Sequence, residues 1–155
     1  MSTQTRILKK VLLVADDHDL LDRLFHSIHS AGYHVTPVKS GEDALKAVAD
    51  YHVDCIVIDH ALNGGMSGAE LISKIRRMRL RMGVIMIANG DTDSVECLVE
   101  GMDVWAVLPH EGSEKEVLNK LNGAFEYSQL PEEKERVFIS SVWKTLVELK
   151  QVHVF

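Results

Sequence analysis

The sequence has few cysteines, no long hydrophobic run and no concentration of basic residues. Cys55 and Cys97 are the only cysteines in 155 residues, and we expect both to be reduced packing residues rather than a disulfide framework. The basic segment 1–10 is followed only by the short apolar run Val11–Ala15, which predicts neither a secretory signal nor a membrane span. A net charge of -6 argues against a nucleic-acid surface. We therefore expect a cytoplasmic protein whose partners are other proteins or small ions.

Strand and helix patterns alternate along the chain. Apolar runs predict five strands, at residues 11–15, 33–38, 53–59, 82–88 and 103–108. Apolar residues at helical spacing predict a helix after each strand, and Ser40, Ser67 and Ser113 are candidate capping residues. Right-handed crossovers then give an α/β fold, a doubly wound five-stranded parallel sheet with the flavodoxin-like order 2-1-3-4-5. With 46% apolar residues, the chain can bury one sizeable core.

Three aspartates follow two of these predicted strands. Asp16 and Asp17 come after the first strand, and Asp59 ends the third. Carboxyl ends of parallel strands meet at one edge of the sheet, so we expect the three carboxylates to converge. Like charges near 4 Å repel by about 4 kcal/mol at an effective dielectric of 20, so a cation or a proton must relieve them. Mg²⁺ prefers such oxygen ligands beside a phosphoryl group, which makes Asp59 a candidate nucleophile for phosphate.

Five short motifs occur in order along residues 1 to about 125, and they are Val14-Ala15-Asp16-Asp17, Ile58-Asp59, Gly68-Ala69-Glu70, Gly101-Met102-Asp103 and Pro109. In residue type and order, these motifs resemble those of the receiver domain of two-component response regulators. The resemblance implies a signalling module, not an enzyme, that accepts a phosphoryl group on Asp59 from a histidine kinase or binds another signalling protein. It also implies that Mg²⁺ is held by the three aspartates and the backbone carbonyl of Ala61, and that the Leu108–Pro109 peptide bond is cis.

The chain departs from the family where the phosphoryl chemistry is completed. Receivers end strand four with a threonine or serine and strand five with a lysine, and here these positions hold Ala88 and Leu108. Losing one neutral and one charge-assisted hydrogen bond would remove roughly 2 to 4 kcal/mol from the phosphorylated state or its transition state. Trp105 stands at the position of the family's signalling aromatic, where we expect a bulky indole to be fixed. In the turn after strand three, Asn63 occupies the usual proline position and one extra residue precedes the next helix.

Three histidines, His18, His60 and His110, follow the predicted strand ends. An acid-sensitive rim or a set of transition-metal ligands is one interpretation, since imidazole titrates near neutrality and binds softer ions. We favour the simpler interpretation that His18 starts a helix, His60 faces away from Asp59 and His110 lies in a loop. Of the three, His110 is the candidate substitute for the missing lysine ammonium.

We assign residues 1–127 to the receiver-like domain and residues 128–155 to a C-terminal helical extension. Pro131, with two glutamates beside it, is typical of a helix start. The predicted helix carries a broad apolar stripe, whose candidate interface residues are Phe138, Ile139, Val142, Trp143, Leu146 and Leu149. The stripe favours a homodimer or a partner contact. Packing against the chain's own receiver and a linker to an output domain are the alternatives.

Three functions from different classes follow from this pattern. A receiver that still uses Asp59 fits the sequence, and so does a receiver-like interaction or dimerisation module that works without phosphate. A phosphohydrolase or flavin protein on the same fold fits less well, because a haloacid-type phosphatase needs a second aspartate where Ala61 stands. No glycine-rich phosphate loop follows the first strand either. We therefore expect a signalling module with an acidic pocket and impaired phosphorylation chemistry.

Overall fold

The computed structural model describes residues 8–80 and 82–128, in which strands and helices alternate. The strands are β1 (Lys10–Val14), β2 (His34–Val38), β3 (Cys55–Asp59), β4 (Gly83–Ala88) and β5 (Ala106–Pro109). The helices are α1 (His18–Ser30), α2 (Gly41–Asp50), α3 (Gly68–Arg77), α4 (Thr92–Leu98) and α5 (Ser113–Ser128). All five strands are parallel and form one sheet with the order β2-β1-β3-β4-β5, so the predicted flavodoxin-like topology is confirmed.

The central strands are apolar because helices cover them on both faces. Every residue of β3 and β4 is buried, which is typical of parallel sheets of this kind. The strand β2 pairs only with β1 and is more exposed. It contains Pro37, which an edge strand tolerates because proline lacks a backbone donor. The partial exposure of β2 and its proline are both typical of a strand at the edge of a sheet.

Each face of the sheet has its own apolar cluster. The α2–α4 face joins the sheet to α2, α3 and α4, and its members include Ile58, Ile72, Met86 and Val95. The α1–α5 face joins the sheet to α1 and α5, and its members include Leu24, Val57, Ile87 and Leu121. Neighbouring residues of one strand belong to opposite clusters, as the pleat of a strand requires. The two clusters together hold the carboxyl ends of the strands at a common edge.

Serine caps mark the starts of α2 and α3 but not of α5. Ser40 and Ser67 accept hydrogen bonds from the backbone N–H groups of Asp43 and Glu70, at 3.1 and 3.2 Å, as predicted. The predicted cap at Ser113 is wrong, because this residue is already the first helical residue of α5 and its buried hydroxyl has no hydrogen-bond partner among the described residues. Acidic side chains in the first turn favour the start of α5 instead.

Three local features differ from the sequence predictions. The strand β5 begins at Ala106 rather than at residue 103, because Asp103 has a φ of 61° and so leaves the extended region. The sequence predicts a helix over residues 91–101, but α4 ends at Leu98, because the backbone departs from helical geometry at Val99. The Leu108–Pro109 peptide bond is trans, so the cis bond that the resemblance implied is not found.

Both cysteines are free thiols, as the sequence predicts. Cys55 lies in the buried strand β3, and burial raises the pKa of its thiol, which therefore stays protonated. Cys97 is a free thiol on α4 as predicted, but it is exposed, so the expectation that it is a packing residue is wrong. The helix α4 is short and polar, and only Val95 among its residues is buried.

The predicted C-terminal extension lies outside the described residues, apart from Ser128, which ends α5. The same is true of its interface residues Phe138, Ile139, Val142, Trp143, Leu146 and Leu149. The division of the chain at residue 127 therefore stays a prediction. Within residues 8–80 and 82–128, each helix is too short or too polar to cross a bilayer.

Arg76 connects α3 to the loop between α4 and β5. Its guanidinium donates to the backbone carbonyls of Met102, Met82 and Asp103, with N···O distances of 3.2, 3.3 and 2.6 Å. The planar guanidinium presents several donors in fixed directions, which suits convergent carbonyls. Because Asp103 has an uncommon positive φ, these bonds help to hold the loop in its conformation.

Replacement of Arg76 by alanine is expected to lower the free energy of unfolding by about 2 to 4 kcal/mol, because hydrogen bonds from a charged donor are lost. Arg77→Ala is the matched control, since Arg77 is the exposed neighbour on the same helix and its loss should cost under about 0.5 kcal/mol. Urea unfolding measures both values. Equal losses in the two variants would contradict the role assigned to Arg76.

Candidate functional site

The three predicted aspartates lie at the carboxyl edge of the sheet. The strands β1 and β3 are in register, with Val14 paired to Ile58, so their ends lie side by side. Asp59 is the last residue of β3, and Asp16 and Asp17 stand between β1 and α1. This edge is where open α/β sheets bind their ligands.

Asp59 is the buried member of the trio. It is 4% exposed, and one of its carboxylate oxygens accepts a hydrogen bond from the backbone N–H of Ala61 at 3.0 Å. Burial raises the pKa of Asp59, and the Ala61 N–H and the charge of His110 only partly oppose this effect. The neighbouring charges of Asp16 and Asp17 raise the same pKa further. The fold therefore favours the neutral form of Asp59 more than water would.

Asp16 and Asp17 are held by donors from the chain itself. Oδ2 of Asp16 accepts a hydrogen bond of 2.6 Å from the backbone N–H of Asn63, which lies in the turn after β3. Asp17 is the N-cap of α1, and its Oδ1 accepts from the N–H of Asp19 at 3.1 Å. Oδ2 of Asp17 lies 3.8 Å from Nε2 of His110, which makes an ion pair when the imidazole is protonated. Each of the two carboxylates therefore has a donor of its own.

The donor chemistry of this edge fits a hard divalent cation such as Mg²⁺. It offers carboxylate oxygens in a setting where negative charge is costly, as the raised pKa of Asp59 shows. Among residues 8–80 and 82–128, however, no three histidine, cysteine, aspartate or glutamate side chains are arranged to share one metal ion. A metal site formed by Asp16, Asp17, Asp59 and the Ala61 carbonyl remains a prediction.

The positions that complete the phosphoryl site in receivers carry apolar side chains here. Asp59 pairs with Ile87 of β4, and the next residue, Ala88, pairs with Pro109 of β5. Ala88 is fully buried in the α2–α4 face, and Leu108 is 5% exposed in the α1–α5 face. Neither residue offers a hydroxyl or an ammonium group. Both positions therefore belong to the apolar core.

Trp105 lies just before β5 and packs on the α1–α5 face. Its backbone N–H donates to the carbonyl of Val84 at 2.8 Å. Its indole is so close to α5 that a Cβ atom on Gly123 would lie 2.5 Å from the ring. Ala88 belongs to the opposite face of the sheet. The aromatic residue and the small residue that ends β4, which signal together in the family, are therefore on different faces in this chain.

His110 is placed at the acidic edge. Its backbone N–H donates to the carbonyl of Ala88 at 2.9 Å, and its ring lies beside Asp17. His18 is exposed at the first position of α1. His60 is partly buried, and its Nδ1 has no hydrogen-bond partner among the described residues. Among these three histidines, His110 is the one in position to bring positive charge to the carboxylates.

Gly68 allows α3 to begin directly against the end of β3. A Cβ atom at this position would lie 3.0 Å from the carbonyl oxygen of Asp59 and 3.0 Å from Cα of His60, which is tighter than ordinary contact. The N–H of Gly68 also donates to the carbonyl of His60 at 3.3 Å. A larger side chain would push α3 away from the acidic edge, so the close approach explains the glycine.

The contact between Asp16 and Asn63 was not predicted from the sequence. Its donor is a backbone N–H, which every residue except proline carries, so the residue type alone does not indicate this contact. The one available signal was that Asn63 stands where receivers usually have proline. That substitution leaves an N–H free to bind a carboxylate.

A parallel sheet of this order, with aspartates at the ends of β1 and β3, defines the receiver class of signalling domains. The sequence profile described as the response regulator receiver domain matches residues 11–121. The chain belongs to the response regulator receiver domain family.

Known proteins similar to the chain support this assignment. The chain is 36% identical over 115 residues to the two-component response regulator PhoP of Pseudomonas aeruginosa, an alignment that covers 72% of this chain and 51% of that protein. It is 30% identical over 146 residues to the uncharacterized transcriptional regulatory protein YrkP of Bacillus subtilis, covering 92% of this chain and 62% of that protein. The chain thus spans only 51% and 62% of the lengths of these two relatives.

A solved structure supports the fold. The crystal structure of a CheY-like response regulator receiver domain protein from Methanospirillum hungatei superimposes with a TM-score of 0.72 at 21% identity. The alignment covers 79% of this chain and 98% of that one. The five-stranded fold is therefore that of a receiver domain.

Replacement of Asp59 by asparagine is expected to raise the free energy of unfolding at neutral pH without divalent cations. The raised folded-state pKa means that ionisation of Asp59 reduces stability as the pH rises through that value, whereas asparagine stays neutral and still accepts the Ala61 N–H. The gain should vanish below the ordinary aspartate pKa of about 3.9, where the carboxyl is neutral in both states. Denaturant titrations from about pH 3 to pH 8 measure it. A stability difference that does not change with pH would count against the effect.

Proposed function

We propose that the chain is an atypical receiver with Asp59 at the phosphoacceptor position, a Mg²⁺-binding acidic pocket and impaired phosphoryl chemistry, which acts through protein contacts. The observation that carries the proposal is the burial of two apolar residues, Ala88 and Leu108, at the strand ends beside Asp59. Membership of the receiver family supports the signalling role. The two free cysteines support a cytoplasmic location as part of the proposal.

The residues that would hold Mg²⁺ are Asp16, Asp17 and Asp59, together with the carbonyl of Ala61. When bound, the ion supplies positive charge that offsets the carboxylates and the phosphoryl oxygens. Asp59 contributes the nucleophilic oxygen: a bond forms from this oxygen to phosphorus, the bond from phosphorus to the donor's leaving group breaks, and the leaving group keeps the electron pair. Burial of Asp59 opposes this step, because it favours the neutral acid over the nucleophilic carboxylate.

The residues that would stabilise the phosphoryl group are the ones the chain lacks. A hydroxyl at the end of β4 and an ammonium at the end of β5 would each bond a phosphoryl oxygen. Their combined loss, roughly 2 to 4 kcal/mol, corresponds to a rate roughly 30- to 1,000-fold lower if the bonds form in the transition state. His110 is a partial substitute, since its charge acts on Asp59 and its ring lies 3.8 Å from Asp17. It supplies charge only when protonated, whereas an exposed lysine stays charged at neutral pH.

We propose proteins as the partners of this module. A histidine kinase is the partner if Asp59 accepts phosphate, and another signalling protein is the partner if the module works without it. The second possibility is favoured by the internal donors that already occupy the carboxylates of Asp16 and Asp59. A homodimer through the apolar stripe of residues 138–149 is a further proposal about the C-terminal segment.

The test is incubation with Mg²⁺ and acetyl phosphate, followed by intact-mass measurement. We expect the natural chain to gain a phosphate roughly 30- to 1,000-fold more slowly than the Ala88→Thr/Leu108→Lys variant, which restores the hydroxyl and the ammonium. The Asp59→Asn variant should gain none. Because Leu108 is buried in the α1–α5 face, the Ala88→Thr single variant is included in case the lysine disturbs folding.

Each result bears on a separate part of the proposal. If the natural chain is labelled as fast as the restored variants, its chemistry is not impaired. Labelling of Asp59→Asn would place the phosphoacceptor elsewhere. If the natural chain and both restored variants stay unlabelled while remaining folded, the phosphate-independent interaction module is the better description.

Replacement of His110 by alanine is expected to slow labelling about tenfold, because the positive charge that His110 brings to Asp59 and Asp17 is lost. The measurement uses the Ala88→Thr background, in which labelling is fast enough to follow. His26→Ala, an exposed histidine on α1, is the control. An equal labelling rate with and without His110 would remove its role as the substitute cation.

A further inference from the structure

We infer that the backbone N–H of Asn63 competes with Mg²⁺ for Asp16 and thereby sets the metal affinity of the pocket. The inference rests on the proposed Mg²⁺ site and adds a determinant of its strength. In the structure, this N–H donates to Oδ2 of Asp16 at 2.6 Å. The bond joins the turn after β3 to the segment after β1 across the acidic edge.

The bond is a strong one of its kind. A hydrogen bond to an ionised carboxylate is shorter and stronger than a neutral one, and 2.6 Å is shorter than the usual N···O distance of about 2.7 to 3.2 Å. The residues it joins are 47 positions apart in the chain, so it fixes tertiary rather than local structure. Asp16 is also half-buried, which limits competition from water.

Each of the three carboxylates at the acidic edge accepts a backbone hydrogen bond. Asp59 accepts from the N–H of Ala61, Asp17 accepts from the N–H of Asp19, and Asp16 accepts from the N–H of Asn63. The first two bonds are made within two residues and belong to the turn and the helix cap themselves. The bond to Asp16 is the one of these three that comes from a separate segment of the chain, and it occupies an acceptor site of Oδ2 that Mg²⁺ could otherwise use.

Only the backbone of Asn63 takes part in this contact. The residue is exposed, and the next residue, Gly64, has a φ of 105°, a conformation that glycine adopts without strain. Proline at position 63 would remove the donor, because it has no N–H. Alanine would keep the donor and remove only the side chain. The two substitutions therefore separate the N–H from the rest of the residue.

The experiment titrates MgCl₂ into the full chain by calorimetry and compares it with the Asn63→Pro and Asn63→Ala variants. Asn63→Pro should bind Mg²⁺ about fivefold more tightly than the natural chain, a difference of about 1 kcal/mol, since the hydrogen bond from the Asn63 N–H no longer competes. Asn63→Ala should bind with unchanged affinity. Asp16→Asn, which weakens the carboxylate itself, should bind more weakly than all three.

A second measurement needs no substitution. Hydrogen exchange of the Asn63 amide in the natural chain should be slow without Mg²⁺ and become at least several-fold faster at saturating Mg²⁺. Because this measurement uses the natural chain, it remains valid even if the proline in the Asn63→Pro variant distorts the turn. It also reports on the contact directly rather than through the affinity.

The results separate this inference from the proposed function. If the natural chain and Asn63→Pro bind Mg²⁺ equally and the Asn63 amide exchanges at the same rate with and without the ion, the competition is disproved and the metal site stands. If Asn63→Ala tightens binding as much as Asn63→Pro, the N–H is not the determinant and the inference fails. If no chain binds Mg²⁺, the proposed metal site and the inference both fall.

Discussion

The register of β1 against β3 is the constraint on which the acidic site depends. Because Val14 pairs with Ile58, the two strand ends lie side by side and bring like charges to one edge. A slip of one residue would turn Asp59 to the other face of the sheet. Strand β3 is held between β1 and β4, both of which are buried, so Asp59 is enclosed and its carboxylate is costly to ionise. The convergence of the carboxylates and the cost of ionising Asp59 therefore have the same cause, which is the position of β3 in the sheet.

Hydrogen-bond donors of the chain itself, together with a histidine, offset the negative charge at this edge. Backbone N–H groups reach Asp16 and Asp59, and His110 brings a titratable ring to Asp17. The strand ends that would finish a phosphoryl site are instead part of the apolar core, with Ala88 on one face of the sheet and Leu108 on the other. The molecule thus keeps the receiver scaffold and its acidic edge while the surrounding chemistry is altered. This combination is the basis of the proposal that the module acts through protein contacts.

The prediction of the fold succeeded where apolar periodicity dominates and failed where single backbone angles decide. The buried strands β3 and β4 are almost wholly apolar, so their existence and order followed from pattern alone. The start of β5 did not, because the positive φ of Asp103 depends on a loop held by Arg76 from another helix. Ser113 has the residue type of a cap, but it is the first helical residue of α5 and its hydroxyl has no hydrogen-bond partner among the described residues. The type of a residue limits the contacts that it can make, but the tertiary structure decides which of them form.

By itself, the sequence determined the receiver family, the strand order and the identity of the acidic residues, because hydrophobic alternation and motif order are properties of the chain read in one dimension. Tertiary structure alone decided three further matters. It set the burial of Asp59, the face on which Trp105 packs, and the partner of Asp16. Each of these is settled by a contact between segments distant in sequence. Such contacts depend on distances of a few ångströms and on the directions of donors and side chains, which no pattern of residue types encodes.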